Sequence, residues 1–341
     1  MTVCDEMKPE MYFPVLKWKN GEQNALKYLD EEIKPFICPI LETRNFSPEE
    51  SSFFSEVELA WRDQWFILDV ANPSGFLNAD KEHFLRQAVE RNKRTNYRKL
   101  LFCVWSTMLE HLDNDLRKEL LSLPQPLCVR MVTTQSSLDS DLAALEDCYK
   151  ELNLNPQSVI LLVDFKENVV TSPEGQNKLI AKLNSKSVKS HQRVVLLSGA
   201  FPSKVLKMTQ TPKRHDLISW LNIVDKIQGH NIEYGDYGCL SPRWEEKKED
   251  GDKKPGFAVP PVVAFTKLNS WTAIRSNASQ TPEACQLVID EDEFNRCCWG
   301  CATMKDRGDK SHNKLGNFET HLSEGMNHHF TTVIKRNLEL L

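Results

Sequence analysis

Eight short apolar runs, each ending at or beside a polar or charged residue and nearly all separated by helix-like segments, constrain this chain more than any other feature. The runs lead in order to Lys17 (Phe13 to Leu16), Glu42 (Ile37 to Leu41), Asp69 (Trp65 to Leu68), Ser106 (Leu100 to Trp105), Arg130 (Leu127 to Val129), Asp164 (Val159 to Val163), Ser198 (Val194 to Leu197) and Asp236 (Ile232 to Gly235). Short apolar strands alternating with helices predict an α/β protein. Eight of them, joined mostly by crossovers, predict a (β/α)8 TIM-type barrel, which need not be regular, rather than an open sheet. The carboxyl ends of barrel strands surround one mouth, where sites are built. A ring of Lys17, Glu42, Asp69, Arg130, Asp164 and Asp236 is therefore expected to face a single cavity.

The intervening segments support this reading. Glu22 to Leu29 carries Ala25, Leu26 and Leu29 at helical spacing. Phe76 to Lys99 reads as the helix after Asp69, with Asn78 or Asp80 as its cap, and Met108 to Leu123 as the next, closed by Pro124 and Pro126. Ser137 to Leu152 places Leu138, Leu142, Leu145 and Leu152 on one stripe, and Asn177 to Val188 and Arg214 to Ile227 supply two more helices.

Beyond Asp236 the pattern changes. Residues 1–243 are expected to form the barrel, 244–256 (WEEKKEDGDKKPG) a flexible charged loop, and 257–341 a β-containing C-terminal extension packed on the barrel. Within the extension, Val259 to Phe265 and Ser270 to Arg275 read as a hairpin, and Phe330 to Ile334 as another β-type run.

The chain has 341 residues, of which 27% are charged, and a net charge of −5, a balance that argues against a protein built mainly to coat nucleic acid. Absence of a long apolar run and a polar start, Met1 to Glu10, predict a cytoplasmic protein with no membrane segment. Among ten cysteines, Cys38, Cys103 and Cys128 sit in strand-like runs where a reduced thiol packs as a small hydrophobe. The run Cys297-Cys298-Trp299-Gly300-Cys301 contains a CxxC. It lies upstream of several histidines, so Cys298, Cys301, His328 and His329 are candidate zinc ligands. Only one close cysteine pair is present and the histidine spacing matches no standard metal pattern, so the sequence itself requires no cofactor. No helix-forming pattern is evident after Cys301 that would lower a thiol pKa for redox work.

Tyr12-Phe13-Pro14-Val15-Leu16-Lys17, Gly21-Glu22, Pro39-Ile40-Leu41-Glu42, Ile160-Leu161-Leu162-Val163-Asp164, Tyr234-Gly235-Asp236-Tyr237-Gly238, Trp299-Gly300 and Asn327-His328-His329 together resemble the phage "beta protein" family. The resemblance spans almost the whole chain. The extra cysteines around Trp299 and the loop from Trp244 to Gly256 fall outside that pattern. Such proteins are met in phages, their satellites and other mobile elements, in some cases beside a toxic gene product or in phage defence. The resemblance thus implies a role in conflict between bacteria and phage, but it does not point to a reaction.

Counting Lys17 and Arg130 against Glu42, Asp69, Asp164 and Asp236 leaves two net negative charges in one mouth. Carboxylates brought so close take up a proton, pair with bases or bind a cation. An enzymatic reading makes Asp69 or Asp164 a general base, with Lys17 or Arg130 anchoring a phosphate or carboxylate. The other reading is a buried ion network that fixes the barrel, and the sequence favours it. Arg91 to Lys99, with five basic residues and Tyr97, could grip a nucleic-acid backbone, but reads better as the solvated end of a helix. Ser198-Gly199 lacks a nucleophile elbow's flanking glycines, and Gly235 and Gly238 lack nucleotide-fingerprint spacing. Two functions remain. The first is an interaction protein that binds and restrains, or senses, a toxic or phage-derived protein; the second is a barrel enzyme or sensor acting on a phosphorylated or nucleotide-like small anionic ligand.

Overall fold

Strands β1 (Val15–Lys17), β2 (Ile40–Glu42), β3 (Phe66–Asp69), β4 (Leu100–Trp105), β5 (Leu127–Val132), β6 (Val159–Asp164) and β7 (Arg193–Leu197) pair in parallel in chain order. After the two-residue β8 (Thr209–Gln210), β9 (Ile232–Gly235) pairs with β7 and completes an eight-stranded sheet. The computed structural model describes residues 7–8, 10–43, 50–70, 75–95, 99–206, 208–243, 261–309 and 315–341, so the charged loop expected at 244–256 lies outside the described residues.

The helices are α1 (Asn20–Lys27), α2 (Glu50–Ala60), α3 (Ala79–Thr95), α4 (Asn114–Leu121), α5 (Leu138–Glu151), α6 (Pro173–Leu183), α7 (Lys186–Lys189) and α8 (His215–Val224). Local chemistry sets several of these starts. Asp113 accepts from the Asp115 and Leu116 amides to cap α4, which is why that helix begins at Asn114 and not at Met108. Ser172 caps α6 ahead of Pro173, moving that helix forward of Asn177, and Asn184 ends it before the short α7.

The sheet is nearly closed into a barrel, as expected. Regular pairing stops short between β9 and β1, and the seam is carried by Phe13 N–H donating to Tyr234 C=O at 3.0 Å and Val15 N–H donating to Asp236 C=O at 2.7 Å. Gly235 permits this approach. A Cβ there would lie 2.5 Å from the Phe13 carbonyl oxygen and 2.2 Å from Leu197 Cδ2. Strands β2, β3, β4 and β6 are buried throughout, as strands covered on both faces must be.

The described residues fall into two compact units. One, residues 1–18, 34–199 and 215–237, is the barrel; the other gathers 19–33, 200–214 and 238–341, so α1 and β8 group with the C-terminal part. In this second unit β10 (Val262–Thr266) and β11 (Trp271–Arg275) form the expected antiparallel hairpin, to which β8 adds a third strand. Helices α9 (Thr281–Ile289), α10 (Trp299–Gly308) and α11 (Phe318–Thr332) follow.

Two expectations are corrected here. Phe330 to Ile334 is no strand: it completes α11 and enters a π-helical turn over Val333–Asn337. The helix starts at a capping box of Asn317 and Thr320, and residues 323–332 are buried without interruption, so no 3.6-residue stripe betrays it and burial overrides β propensity. The CxxC does open a helix, α10, with Cys298 as its cap. Among the described residues no helix is long and apolar enough to cross a membrane.

Candidate functional site

The barrel register brings four of the six ring residues together. Lys17, Glu42 and Asp69 are level across β1, β2 and β3. Asp69 is level with Cys103, Trp105 with Arg130, and Val132 with Asp164. Each step advances the chain by two residues, so the same face is kept while the inward side chains climb around the barrel.

Arg130 is the hub, and it is wholly buried together with Glu42, Asp69 and Asp164. Its Nε and Nη2 donate to Asp164 Oδ2 at 2.9 and 2.6 Å. Nη1 donates to Glu42 Oε1 at 2.8 Å and Asp69 Oδ2 at 2.6 Å, and Nη2 also donates to the Tyr237 hydroxyl at 2.6 Å. Five bonds match the five N–H groups of a guanidinium, so the fork is fully used inside the protein. Trp105 Nε1 donates to both oxygens of Asp69, at 3.1 and 2.9 Å, and the Tyr237 hydroxyl donates to Asp164 Oδ2 at 2.7 Å.

Lys166, two residues beyond Asp164, completes the cluster. Its amide donates to Asp164 Oδ1 at 2.8 Å, and Nζ lies 3.6 Å from Glu42 Oε1 and 3.7 Å from Asp164 Oδ2. The ammonium stands over the Trp105 and Tyr237 rings at 5.1 and 5.5 Å. At φ 49° Lys166 holds a left-handed backbone, sparsely used by non-glycine residues, which aims the side chain back over the cluster. Two cations thus face three carboxylates.

Burial alone would raise the Asp164 pKa, yet Arg130 and Lys166 outweigh it, with help from the Tyr237 hydroxyl and the Lys166 amide, and hold it below the usual range. Burial works against the charge of Arg130 too, and Tyr237 with the three carboxylates overcomes it, so the guanidinium pKa rises well above normal. Burial pushes the Tyr237 phenol well up, with Asp164 and Glu42 adding to it. An ionised, fully bonded Asp164 is a poor proton acceptor near neutral pH.

Asp236 has another role. Its carboxylate accepts from the Tyr12 hydroxyl and, at 2.7 Å, from the Tyr234 hydroxyl, while the two rings stack with centroids 5.8 Å apart. It therefore fastens β9 to the start of β1. Lys17 is half-buried at the end of β1. Trp105, Lys166 and Tyr237 were not picked out by sequence reasoning. Their signal was nearness in sequence: Trp105 is the last residue of β4, Tyr237 follows Asp236, and Lys166 lies two residues after Asp164.

In the second unit, Cys298, Cys301 and His328 meet and Cys297 joins them. The Sγ atoms of Cys298 and Cys301 are 3.5 Å apart and those of Cys297 and Cys301 3.9 Å. His328 Nδ1 lies 3.1 Å from Cys301 Sγ, 3.8 Å from Cys298 Sγ and 3.9 Å from Cys297 Sγ. His329, adjacent in sequence, points elsewhere, its Nδ1 3.0 Å from Thr266 Oγ1. Neighbouring helical residues diverge by about 100°, so two adjacent histidines do not share one centre.

The other motif residues build the same region. Gly300 lets α10 touch α11, since a Cβ there would lie 2.2 Å from the Glu324 carbonyl oxygen. Asn327 accepts from Gly300 N–H and donates to Ala25 C=O, both at 3.0 Å. Trp299 stacks on Tyr28 at 4.5 Å, and Trp271 is core. In the basic stretch Arg94 pairs with Glu90 and Lys93 with Glu119 on the surface, while residues 96–98 lie outside the described residues.

No curated protein and no solved structure matches the chain. The family model described as Beta protein matches residues 12–335, a span that holds both the Arg130 cluster and the Cys/His cluster. The chain therefore belongs to the Beta protein family.

Proposed function

We propose that this Beta protein family member is a cytoplasmic component of bacteria–phage or mobile-element conflict that binds and restrains, or senses, a toxic or phage-derived protein. In this reading the barrel is a rigid scaffold, and its loops and C-terminal unit carry the recognition. The observation that carries it is the full use of Arg130: with all five N–H groups bonded to Glu42, Asp69, Asp164 and Tyr237, none is left to anchor a substrate anion. Native mass spectrometry of the tagged chain purified from its own host tests the proposal. A stoichiometric protein partner is the expected result; a bare chain carrying a small-molecule mass would overturn it.

The second reading, a barrel enzyme or sensor for a small anionic ligand, rests on Lys166. Its side chain is 15% exposed, the most open of the charged side chains in the cluster, and two aromatic rings flank its ammonium. An Asp69→Asn/Asp164→Asn variant separates the two readings. If it keeps the wild-type melting profile and full protection in a phage challenge, the enzyme reading fails. If protection is lost with an unchanged melting profile, a purely structural cluster fails.

A further inference from the structure

We propose that the C-terminal unit binds one zinc ion, held by Cys297, Cys298, Cys301 and His328. Each residue offers one donor atom, and the four atoms lie within 4.8 Å of one another. Sulfur ligands at about 2.3 Å and a nitrogen at about 2.0 Å from a tetrahedral centre stand about 3.8 Å apart for S···S and about 3.5 Å for S···N. Two of the three sulfur–sulfur separations, 3.5 and 3.9 Å, and the three sulfur–nitrogen separations, 3.1, 3.8 and 3.9 Å, bracket those edges, and the third sulfur pair lies within 4.8 Å. A disulfide requires sulfurs about 2.05 Å apart, so these are thiols.

The imidazole is oriented for ligation. His328 Nε2 lies 2.8 Å from the Thr266 backbone carbonyl, which can only accept, so the ring proton sits on Nε2 and the Nδ1 lone pair faces the three sulfurs. A ligating histidine whose other nitrogen donates to a carbonyl is the usual outer-shell arrangement of a zinc site. The ring is clamped by Phe265, with centroids 4.3 Å apart and planes within 9°. Simple packing of small thiols does not account for this convergence, because apolar packing sets no lone-pair direction.

The donor set also selects the metal. Three thiolates and one imidazole suit Zn²⁺, whereas oxygen-seeking cations find no carboxylate among these four donors. All four positions come from the protein, and Cys298, Cys301 and His328 are buried, so the centre is closed and structural. It ties the first turn of α10 to the middle of α11 and, through Thr266, to the end of β10. Cys298 caps α10, and its sulfur accepts from Cys301 N–H at 3.4 Å, which fixes it at the start of that helix.

The test uses the full chain, purified under reducing conditions from zinc-supplied cells. Elemental analysis is expected to find one zinc per chain, lost in Cys301→Ser and His328→Gln and kept in His329→Gln. Because the ligand variants can misfold, Co²⁺ is exchanged into the wild-type chain as a second measurement. Thiolate-to-cobalt charge transfer together with tetrahedral ligand-field bands is the expected spectrum. A wild-type chain without bound metal, a cobalt complex lacking thiolate charge transfer, or zinc retained in both ligand variants would overturn the proposal.

Discussion

Arg130 grips Asp164 with two arms: Nε and Nη2 donate to the same oxygen, Oδ2, at 2.9 and 2.6 Å, and both residues are wholly buried. Removing one partner of such a pair strands the other charge in a low-dielectric interior. Arg130→Met is expected to cost about 3–5 kcal/mol. Replacing Glu42, Asp69 and Asp164 by their amides in the same chain should recover part of that loss. Urea denaturation of both variants checks this; equal stability of Arg130→Met and wild type would show that the hub is dispensable.

The seam between β9 and β1 depends on a missing side chain. In Gly235→Ala the new methyl meets the Phe13 carbonyl, which is backbone and cannot rotate away, as well as Leu197. The expected loss is about 3 kcal/mol, typical of overpacking a well-packed site, seen as a drop in melting temperature.

Asp236 draws its two hydroxyl bonds from opposite sides of that seam. Tyr12→Phe and Tyr234→Phe should each cost about 1.5–3 kcal/mol, because each removes a hydrogen bond to a charged acceptor. Measured together, the two substitutions should be non-additive, since they share one carboxylate.

Helix contact in the second unit rests on Gly300. Gly300→Ala would push its Cβ against the Glu324 carbonyl and should separate α10 from α11. Amide exchange of α11 is expected to accelerate in this variant, and also in Asn327→Ala, where two backbone groups each lose a bond worth about 1 kcal/mol.

Glu233 sets a pH dependence opposite to that of Asp164. It accepts from Arg193 Nη1 at 2.6 Å, but among the described residues its buried Oε2 has no hydrogen-bond partner, and burial wins over the arginine, pushing the carboxyl up to about 7. A raised carboxyl pKa means the fold favours the protonated form. That stability, at most about 3 kcal/mol, is full below the unfolded value and is lost as pH rises through about 7. Glu233→Gln should therefore lose less stability than wild type between pH 5 and 8 in thermal melts. The depressed Asp164 pKa contributes stability that is present above the unfolded value and lost as pH falls.

The barrel strands were legible because each is a local matter: Val159 to Val163 is apolar, short and bounded by Asn155-Pro156 and Asp164, and it forms β6, which takes in Asp164 as its last residue. Helix α11 was not legible, because from Ser323 onward it is buried on every side and carries polar residues such as Glu324, Asn327 and His328 inward. Periodicity reports a boundary between water and core, and a helix without such a boundary leaves no stripe.

By itself the sequence determined the alternation of eight strands with helices, the polar or charged residue at or near the end of each, and the hairpin whose strands pair over Val262–Arg275. Only the tertiary structure decided which of those polar residues meet. Barrel stagger gathers Glu42, Asp69, Arg130 and Asp164 and adds Lys166 and Tyr237, while closure assigns Asp236 to Tyr12 and Tyr234. The crossing of α10 and α11 at Gly300 brings Cys297, Cys298 and Cys301 to His328 and turns His329 away. The physical reason is range: strand and helix formation answers to neighbours a few residues apart, whereas Arg130 meets Glu42 across 88 residues and Cys301 meets His328 across 27.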